Sequence, residues 1–148
     1  MSISFYVPRD TYGYLSNFSS HGVEFEGVYW PTVEHFFQAA KFEGMDAEYQ
    51  RLILRTKTPK DAAELGRSRR HPIRTDWESV KEEVMLRALR KKFETHLAIR
   101  EQLLATGDEE LVEASPMDFY WGVGNDGSGQ NRLGILLMQV RSDLRQVG

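Results

Sequence analysis

The stretch Trp30-Pro31-Thr32-Val33-Glu34-His35-Phe36-Phe37-Gln38-Ala39-Ala40-Lys41-Phe42 decides how the chain folds. Thr32 stands where a capping side chain is needed, just ahead of Val33, Phe36, Phe37 and Ala40, which recur at helical spacing as an apolar stripe. Gly44 supplies a stop. Glu34, Gln38 and Lys41 are spaced i, i+4 and i+7, so they share a second face, offset from the phenylalanines. The block predicts an amphipathic helix whose short polar face carries an acid, an amide and a base.

Upstream, residues 3–7 and 23–29 are rich in β-branched and aromatic side chains punctuated by Gly22 and Gly27. They predict short strands in an irregular N-terminal segment. Downstream the signals are helical. One helix is expected over residues 47–55, and another opens with Thr58 as N-cap and Pro59 as its first residue and ends by Gly66. A long helix starts at the capping-box pair Thr75 and Glu78 and runs to about His96. A fifth covers residues 97–105 and stops at Gly107. Asn131 is expected to cap a last helix whose Leu133, Leu136, Leu137, Val140 and Leu144 face the core. The expected fold is α-rich α+β, mostly helices with short strands in the N-terminal segment. No repeat or linker interrupts the 148 residues, so one compact domain over 1–148 is expected.

Composition narrows the chemistry. With 19 basic and 22 acidic side chains the net charge is -3, so no overall field draws the protein to nucleic acid or to an anionic membrane. Any anion site must be local. The absence of cysteine excludes disulfides, thiolate metal sites and a cysteine nucleophile, and suits a reducing compartment. No secretory leader or membrane-spanning run is apparent, and a cytoplasmic location with no membrane partner is expected. His21, His35, His71 and His96 lack zinc spacing, and Glu34-His35 lacks the second histidine of a metalloprotease helix, so neither metal nor cofactor is expected.

Four features carry candidate chemistry. Lys41 lies between Ala39-Ala40 and Phe42, and a lysine in apolar surroundings can lose its proton and attack an aldehyde-like carbon while a carboxylate such as Glu34 moves protons. The plainer alternative is a solvated lysine, with Glu34 favoured by the helix dipole. Residues 66–74, Gly-Arg-Ser-Arg-Arg-His-Pro-Ile-Arg, concentrate four arginines in an acidic chain. Their guanidinium forks suit phosphate oxygens, although a solvated basic turn or a nucleic-acid contact would use the same residues. Residues 115–131 combine aromatics, Asp118 and several glycines ahead of a helix, where backbone approaches ligands closely, but they match neither a Walker loop nor a dinucleotide fingerprint. Trp77 could stack on a base or sugar, or belong to the core.

In combination and order these motifs resemble the NADAR (YbiA-like) family. The resemblance rests on Leu15-Ser16-Asn17-Phe18, the block from Trp30 to Phe42, Gly66-Arg67-Ser68-Arg69, Asp76-Trp77, Lys81, Met85 and Lys92-Phe93. It continues through Asp118, Trp121-Gly122-Val123-Gly124, Gly129, Asn131 and Leu133-Gly134-Ile135-Leu136-Leu137-Met138, and so covers nearly the whole chain. It implies an N-glycosidase acting at the anomeric carbon of a phosphorylated ribose. The family includes enzymes associated with phosphoribosylamino-pyrimidine intermediates of riboflavin synthesis, and others that remove ADP-ribose from modified guanine.

Carried over by motif, the resemblance implies catalytic roles for Glu34, Trp77 and Asp118, with Lys41 as an imine-forming nucleophile on an opened ribose. Arg67 and Arg69 become phosphate or pyrophosphate contacts, and Asn17, Trp121, Gly122 and Asn131 line the sugar or base pocket. The expected partner is a small phosphoribosyl or ADP-ribosyl substrate, or ADP-ribosylated nucleic acid. Two other readings remain open: a non-catalytic ADP-ribose or nucleotide-binding module using the same arginines and aromatics, and a strand contact through residues 67–74.

Overall fold

The computed structural model describes residues 1–147. The fold is predominantly helical with short strands, and its contacts divide into two compact units. One comprises the chain between Ser20 and Lys92; the other comprises Met1–Ser19 together with the chain from Phe93 onward.

The unit from Ser20 to Lys92 opens with a hairpin of β2 (Val23–Phe25) and β3 (Val28–Trp30), antiparallel with Val23 opposite Trp30. Strand β1 (Ser2–Phe5) belongs to the other unit. The turn is Glu26-Gly27, both at positive φ (53° and 84°), the backbone that a two-residue hairpin of this hand requires. Helix α1 (Val33–Ala40) follows, and Thr32 caps it by accepting from the backbone N of His35. His35 is wholly satisfied. Its Nδ1 pairs with the Thr32 hydroxyl at 2.8 Å and its Nε2 donates to the Thr56 carbonyl at 3.1 Å. Burial, opposed by that carbonyl bond, lowers its pKa, as expected of a neutral core histidine.

Helix α2 (Ala47–Arg55) is capped by Asp46, and α3 (Pro59–Arg67) by Thr58 with proline in its first turn. Ala39, Phe42, Tyr49, Ile53 and Ala62 form one buried cluster among these helices. Helix α4 (Trp77–Thr95) starts a residue or two later than the sequence signals imply. The expected capping box is corrected here: one Glu78 carboxylate oxygen accepts from Lys81 Nζ at 2.7 Å, within the helix. Lys92 is fully buried, and burial pushes its ammonium pKa down to about 7.

In the other unit β1 (Ser2–Phe5) pairs in parallel with β4 (Glu110–Glu113), Ser2 opposite Glu110 and Phe5 opposite Glu113. Strand β4 lies far outside the N-terminal segment, and the sequence reading did not include it. Helices α5 (Leu97–Ala105) and α6 (Arg132–Val147) complete the unit. Its core includes Phe5, Leu15, Phe93, Leu103, Leu111, Leu137 and Val140. Leu133, Leu136, Leu137, Val140 and Leu144 of α6 are all buried, as their spacing implied. The side chain of Asn131 does not cap α6. Its Oδ1 accepts from the Glu113 N–H at 2.9 Å and its Nδ2 donates to the Leu111 carbonyl at 2.9 Å, so it pins β4.

Candidate functional site

The polar face of α1 becomes a site where α3 ends against it. Gln38 Nε2 donates to Glu34 Oε2 at 2.7 Å, a bond between successive turns that orients the half-buried carboxylate. Lys41 follows as the helix C-cap and is 8% exposed. Its Nζ donates to the Gly66 carbonyl at 3.4 Å, and Arg69 Nη1 donates to the same oxygen at 2.9 Å. This convergence depends on glycine: a Cβ at Gly66 would collide with the Gln38 side-chain amide.

Two cations on one carbonyl have an electrostatic consequence. Burial first, and then the Arg69 guanidinium, push the Lys41 pKa down from 10.5 to about 8; Arg67 adds to the depression, while the Glu34 and Glu78 carboxylates oppose it. At neutral pH roughly one lysine in ten is then unprotonated, some 300-fold more than at the ordinary pKa. Such an amine can act as a nucleophile without an external base.

The arginine segment divides by partner. Arg74 makes a two-point pair with Asp76, at 2.6 and 3.0 Å. Arg67, Arg69 and Arg70 are exposed and, among the described residues, have no carboxylate within ion-pair distance, so they are open to an external anion. Trp77 falls on the core side of the two sequence readings. It is 5% exposed and its ring lies 5.0 Å from that of Phe37, so it buttresses α1 and does not present an open face for stacking.

A cleft of about 360 Å³ lies elsewhere in the same unit, lined by Phe25, Trp30, Phe36, Gln50, Arg51 and Arg87 among others. Its α1 residues, Phe36, Ala39 and Ala40, are on the side of the helix away from Glu34 and Gln38. The titratable cluster, not this cleft, holds the candidate chemistry.

Asn17, Asp118, Trp121, Gly122 and Asn131 belong to the other unit. Asp118 is half-buried, and its Oδ1 accepts from the backbone N–H groups of Tyr120 and Trp121 at 2.9 and 2.8 Å. The second carboxylate oxygen is left for other work. Trp121 is half-buried and edge-on to Tyr120, with centroids 4.9 Å apart. Gly122 is buried where a Cβ would sit 3.0 Å from the carbonyls of both Asp118 and Glu113. The Gly122 carbonyl accepts from Asn131 N, and Leu133 N donates to the Trp121 carbonyl, so the glycine-rich loop is bound to the start of α6. Asn17 is buried beside the short turn Gly13–Leu15. Asn131, at φ 51° with both ends of its amide on β4, has a clear positioning role.

Sequence reading did not assign Gln38 or Glu78 to the site. The i, i+4 spacing from Glu34 was the signal for Gln38; only the fold reveals that the Glu78 charge acts on Lys41. Among the described residues, no group of three or more histidine, aspartate or glutamate side chains could hold a metal ion. No helix is long and apolar enough to cross a membrane.

Taken together, these features describe a helix-rich α+β protein whose cationic site contains a buried, weakly basic lysine beside an oriented carboxylate. The chain belongs to the NADAR domain family, whose model matches residues 4–145. It is 50% identical over 142 residues to N-glycosidase YbiA of Escherichia coli, covering 96% of this chain and 88% of that protein. The NMR structure of E. coli YbiA has a TM-score of 0.90 at 48% identity, covering 99% of this chain and 88% of that one. The chloroplastic riboflavin biosynthesis protein PYRR of Zea mays is 46% identical over 155 residues, which span 96% of this chain but 25% of PYRR.

Proposed function

We propose that the protein is an N-glycosidase that hydrolyses the bond between the anomeric carbon of a phosphorylated ribose and a base-like leaving group. The observation that carries this reading is the Gly66 carbonyl shared by the buried Lys41 ammonium and the Arg69 guanidinium, next to the Glu34 carboxylate that Gln38 orients. Its near relation to a protein named as an N-glycosidase supports the reaction class. Kinship with a protein named for riboflavin biosynthesis supports phosphoribosylamino-pyrimidines as substrates, with ADP-ribosylated guanine the other candidate implied by the family resemblance.

In this reading Arg67 and Arg69 bind the phosphate or pyrophosphate. Glu34 delivers a proton to the departing nitrogen and later takes one from water, so that the C–N bond breaks, the base leaves with a hydrogen and the sugar gains a hydroxyl. On this route neutral Lys41 attacks the anomeric carbon of the ring-opened substrate, the base leaves from that carbon with the proton from Glu34 to give a lysine imine, and water hydrolyses the imine to the free amine and the ribose aldehyde, which closes to the hemiacetal. Asp118, given a catalytic role by the family resemblance alone, is assigned the developing positive charge. Trp77 acts by holding α1 in place. Asn17, Trp121, Gly122 and Asn131 shape the sugar or base pocket, as the family resemblance implies.

The test is Glu34→Gln. The variant keeps a polar side chain of nearly the same shape, so its circular dichroism should match the parent while release of ribose 5-phosphate from a phosphoribosylamino-pyrimidine, or of ADP-ribose from ADP-ribosylated guanine, falls by at least about a hundredfold. Parent-like release from a folded variant would remove Glu34 from the mechanism.

A further inference from the structure

His71 stands in the middle of the arginine segment, and neither the proposed chemistry nor any zinc spacing accounts for it. Its surroundings are more specific than those of a surface histidine. The imidazole lies flat on the Tyr49 ring, with centroids 3.7 Å apart and planes 12° from parallel. Its Nδ1 is 3.0 Å from Asp46 Oδ2. A carboxylate only accepts, so Nδ1 carries the hydrogen.

Both partners are themselves fixed. The other oxygen of Asp46 accepts from Tyr49 N at 3.0 Å and caps α2, and the Tyr49 hydroxyl donates to the Leu65 carbonyl at 2.6 Å, near the end of α3. The His71 bond is the first cause of the lowered Asp46 pKa, as expected when a carboxylate is held in its charged form. The start of α2 therefore holds the chain at two points, Leu65 in α3 and His71 in the arginine segment, on either side of Arg67 and Arg69. Beyond His71 the segment is tied again, because Arg74 N donates to the Lys41 carbonyl at 2.8 Å. Arg67 is the last residue of α3, but no regular element holds residues 68–76, so beyond its own bonds to the Gly66 and Ser68 carbonyls Arg69 depends on these contacts for its place.

We propose that His71 is a positioning residue for phosphate recognition: clamped between Tyr49 and Asp46, it fixes the loop that carries Arg69, directly after Arg67 at the end of α3, so that the two guanidinium groups meet the phosphate of the ligand, which His71 does not touch. This rests on the phosphate role given to those arginines under the proposed function. It predicts that weakening the clamp raises KM and leaves kcat almost alone, because binding of the phosphate changes while Glu34 and Lys41 remain in place.

The experiment compares the parent with His71→Phe, which keeps a flat ring on Tyr49 but has no donor for Asp46, and with Asp46→Asn, whose one amide oxygen keeps the helix cap and whose nitrogen can only donate, to an unprotonated His71 Nδ1. Calorimetry with ribose 5-phosphate, and with ribose as the unphosphorylated control, is run beside steady-state kinetics. The expected result is a loss of ribose 5-phosphate affinity of about tenfold in His71→Phe, a smaller loss in Asp46→Asn, no change for ribose, and kcat within about twofold of the parent. Parent-like ribose 5-phosphate affinity in folded His71→Phe would overturn the proposal. So would equal losses for ribose and ribose 5-phosphate, or a parent that binds no ribose 5-phosphate at all. If His71→Phe does not fold, Asp46→Asn decides by the same readout. A parent whose ribose 5-phosphate affinity depends on His71 yet which cleaves no glycosidic bond would sink the enzymatic reading and leave this one standing.

Discussion

Lys41 and Arg69 donate to a single carbonyl oxygen, that of Gly66, from opposite sides of the contact between α1 and α3. The ammonium is the more buried and the more easily deprotonated of the two, so it gives way, with burial the larger cause and Arg69 the next. The same contact therefore joins the guanidinium proposed to bind phosphate to the proposed nucleophile.

The ionisation of Lys41 should respond to its neighbours with opposite signs. Arg69→Ala removes a positive neighbour and should move the pKa upward from about 8, whereas Glu34→Gln removes a carboxylate that opposes the depression and should move it further down. The rate at which Lys41 is acetylated as a function of pH, read by peptide mass spectrometry, measures this directly. Equal midpoints in all three proteins would mean that the depression is due to burial alone.

Gly66→Ala should be costly although alanine favours helices. Its Cβ would meet the Gln38 amide, so either Gln38 releases Glu34 or α3 moves away from Lys41. A loss of about 1–3 kcal/mol in denaturant unfolding is expected for such overpacking, with a larger proportional loss of turnover. A stable, fully active variant would show that the close approach is not needed.

Stability should rise between about pH 7 and pH 9. Lys41 and Lys92 have folded-state pKa values of about 8 and about 7 against 10.5. In that window the unfolded chain binds more protons than the folded one, and folding gains as pH rises. The gain is on the order of 2 kcal/mol in urea titrations, and Lys92→Met should remove much of the slope. Above about pH 10 the trend reverses in part, because burial pushes Tyr14 up to about 12 and its folded form then resists ionisation. A flat or falling profile from about pH 7 to pH 9 would contradict the burial of both ammonium groups.

Asn131 distinguishes a structural amide from a ligand contact. Its backbone is at φ 51°, which asparagine and glycine tolerate best, and its amide joins the Glu113 N–H and the Leu111 carbonyl. Asn131→Gly keeps the backbone but removes both bonds, and should cost about 1–3 kcal/mol by urea unfolding. If instead stability is unchanged and only KM rises, the residue serves the ligand and not β4.

Much of this was legible in the sequence, for local reasons. Thr32, Thr58 with Pro59, and the i, i+3, i+4 apolar spacing act within one or two turns, so the limits of α1, α2, α3 and α5 could be read from neighbouring residues. The face shared by Glu34, Gln38 and Lys41 was visible for the same reason. What was missed depends on distant chain. Strand β4 has four residues and exists because β1, more than a hundred positions earlier, pairs with it in parallel. The role of Asn131 also depends on β4. Trp77 suited stacking as well as the core, the core more often, and Phe37 decides between them by packing against it. The arginine run gave no indication that Asp76 would occupy Arg74 or that Tyr49 and Asp46 would hold His71.

The most direct measurement is product analysis. Purified protein is incubated with a phosphoribosylamino-pyrimidine and, separately, with ADP-ribosylated guanine in DNA, and the free base and free sugar phosphate are quantified over time. An N-glycosidase working through this site releases base and ribose 5-phosphate, or base and ADP-ribose, in equal amounts over many turnovers, and Lys41→Met abolishes or strongly slows that release. Both substrates recovered intact at high protein concentration, with ADP-ribose nevertheless bound tightly, would contradict it and identify a binding module built on the same arginines.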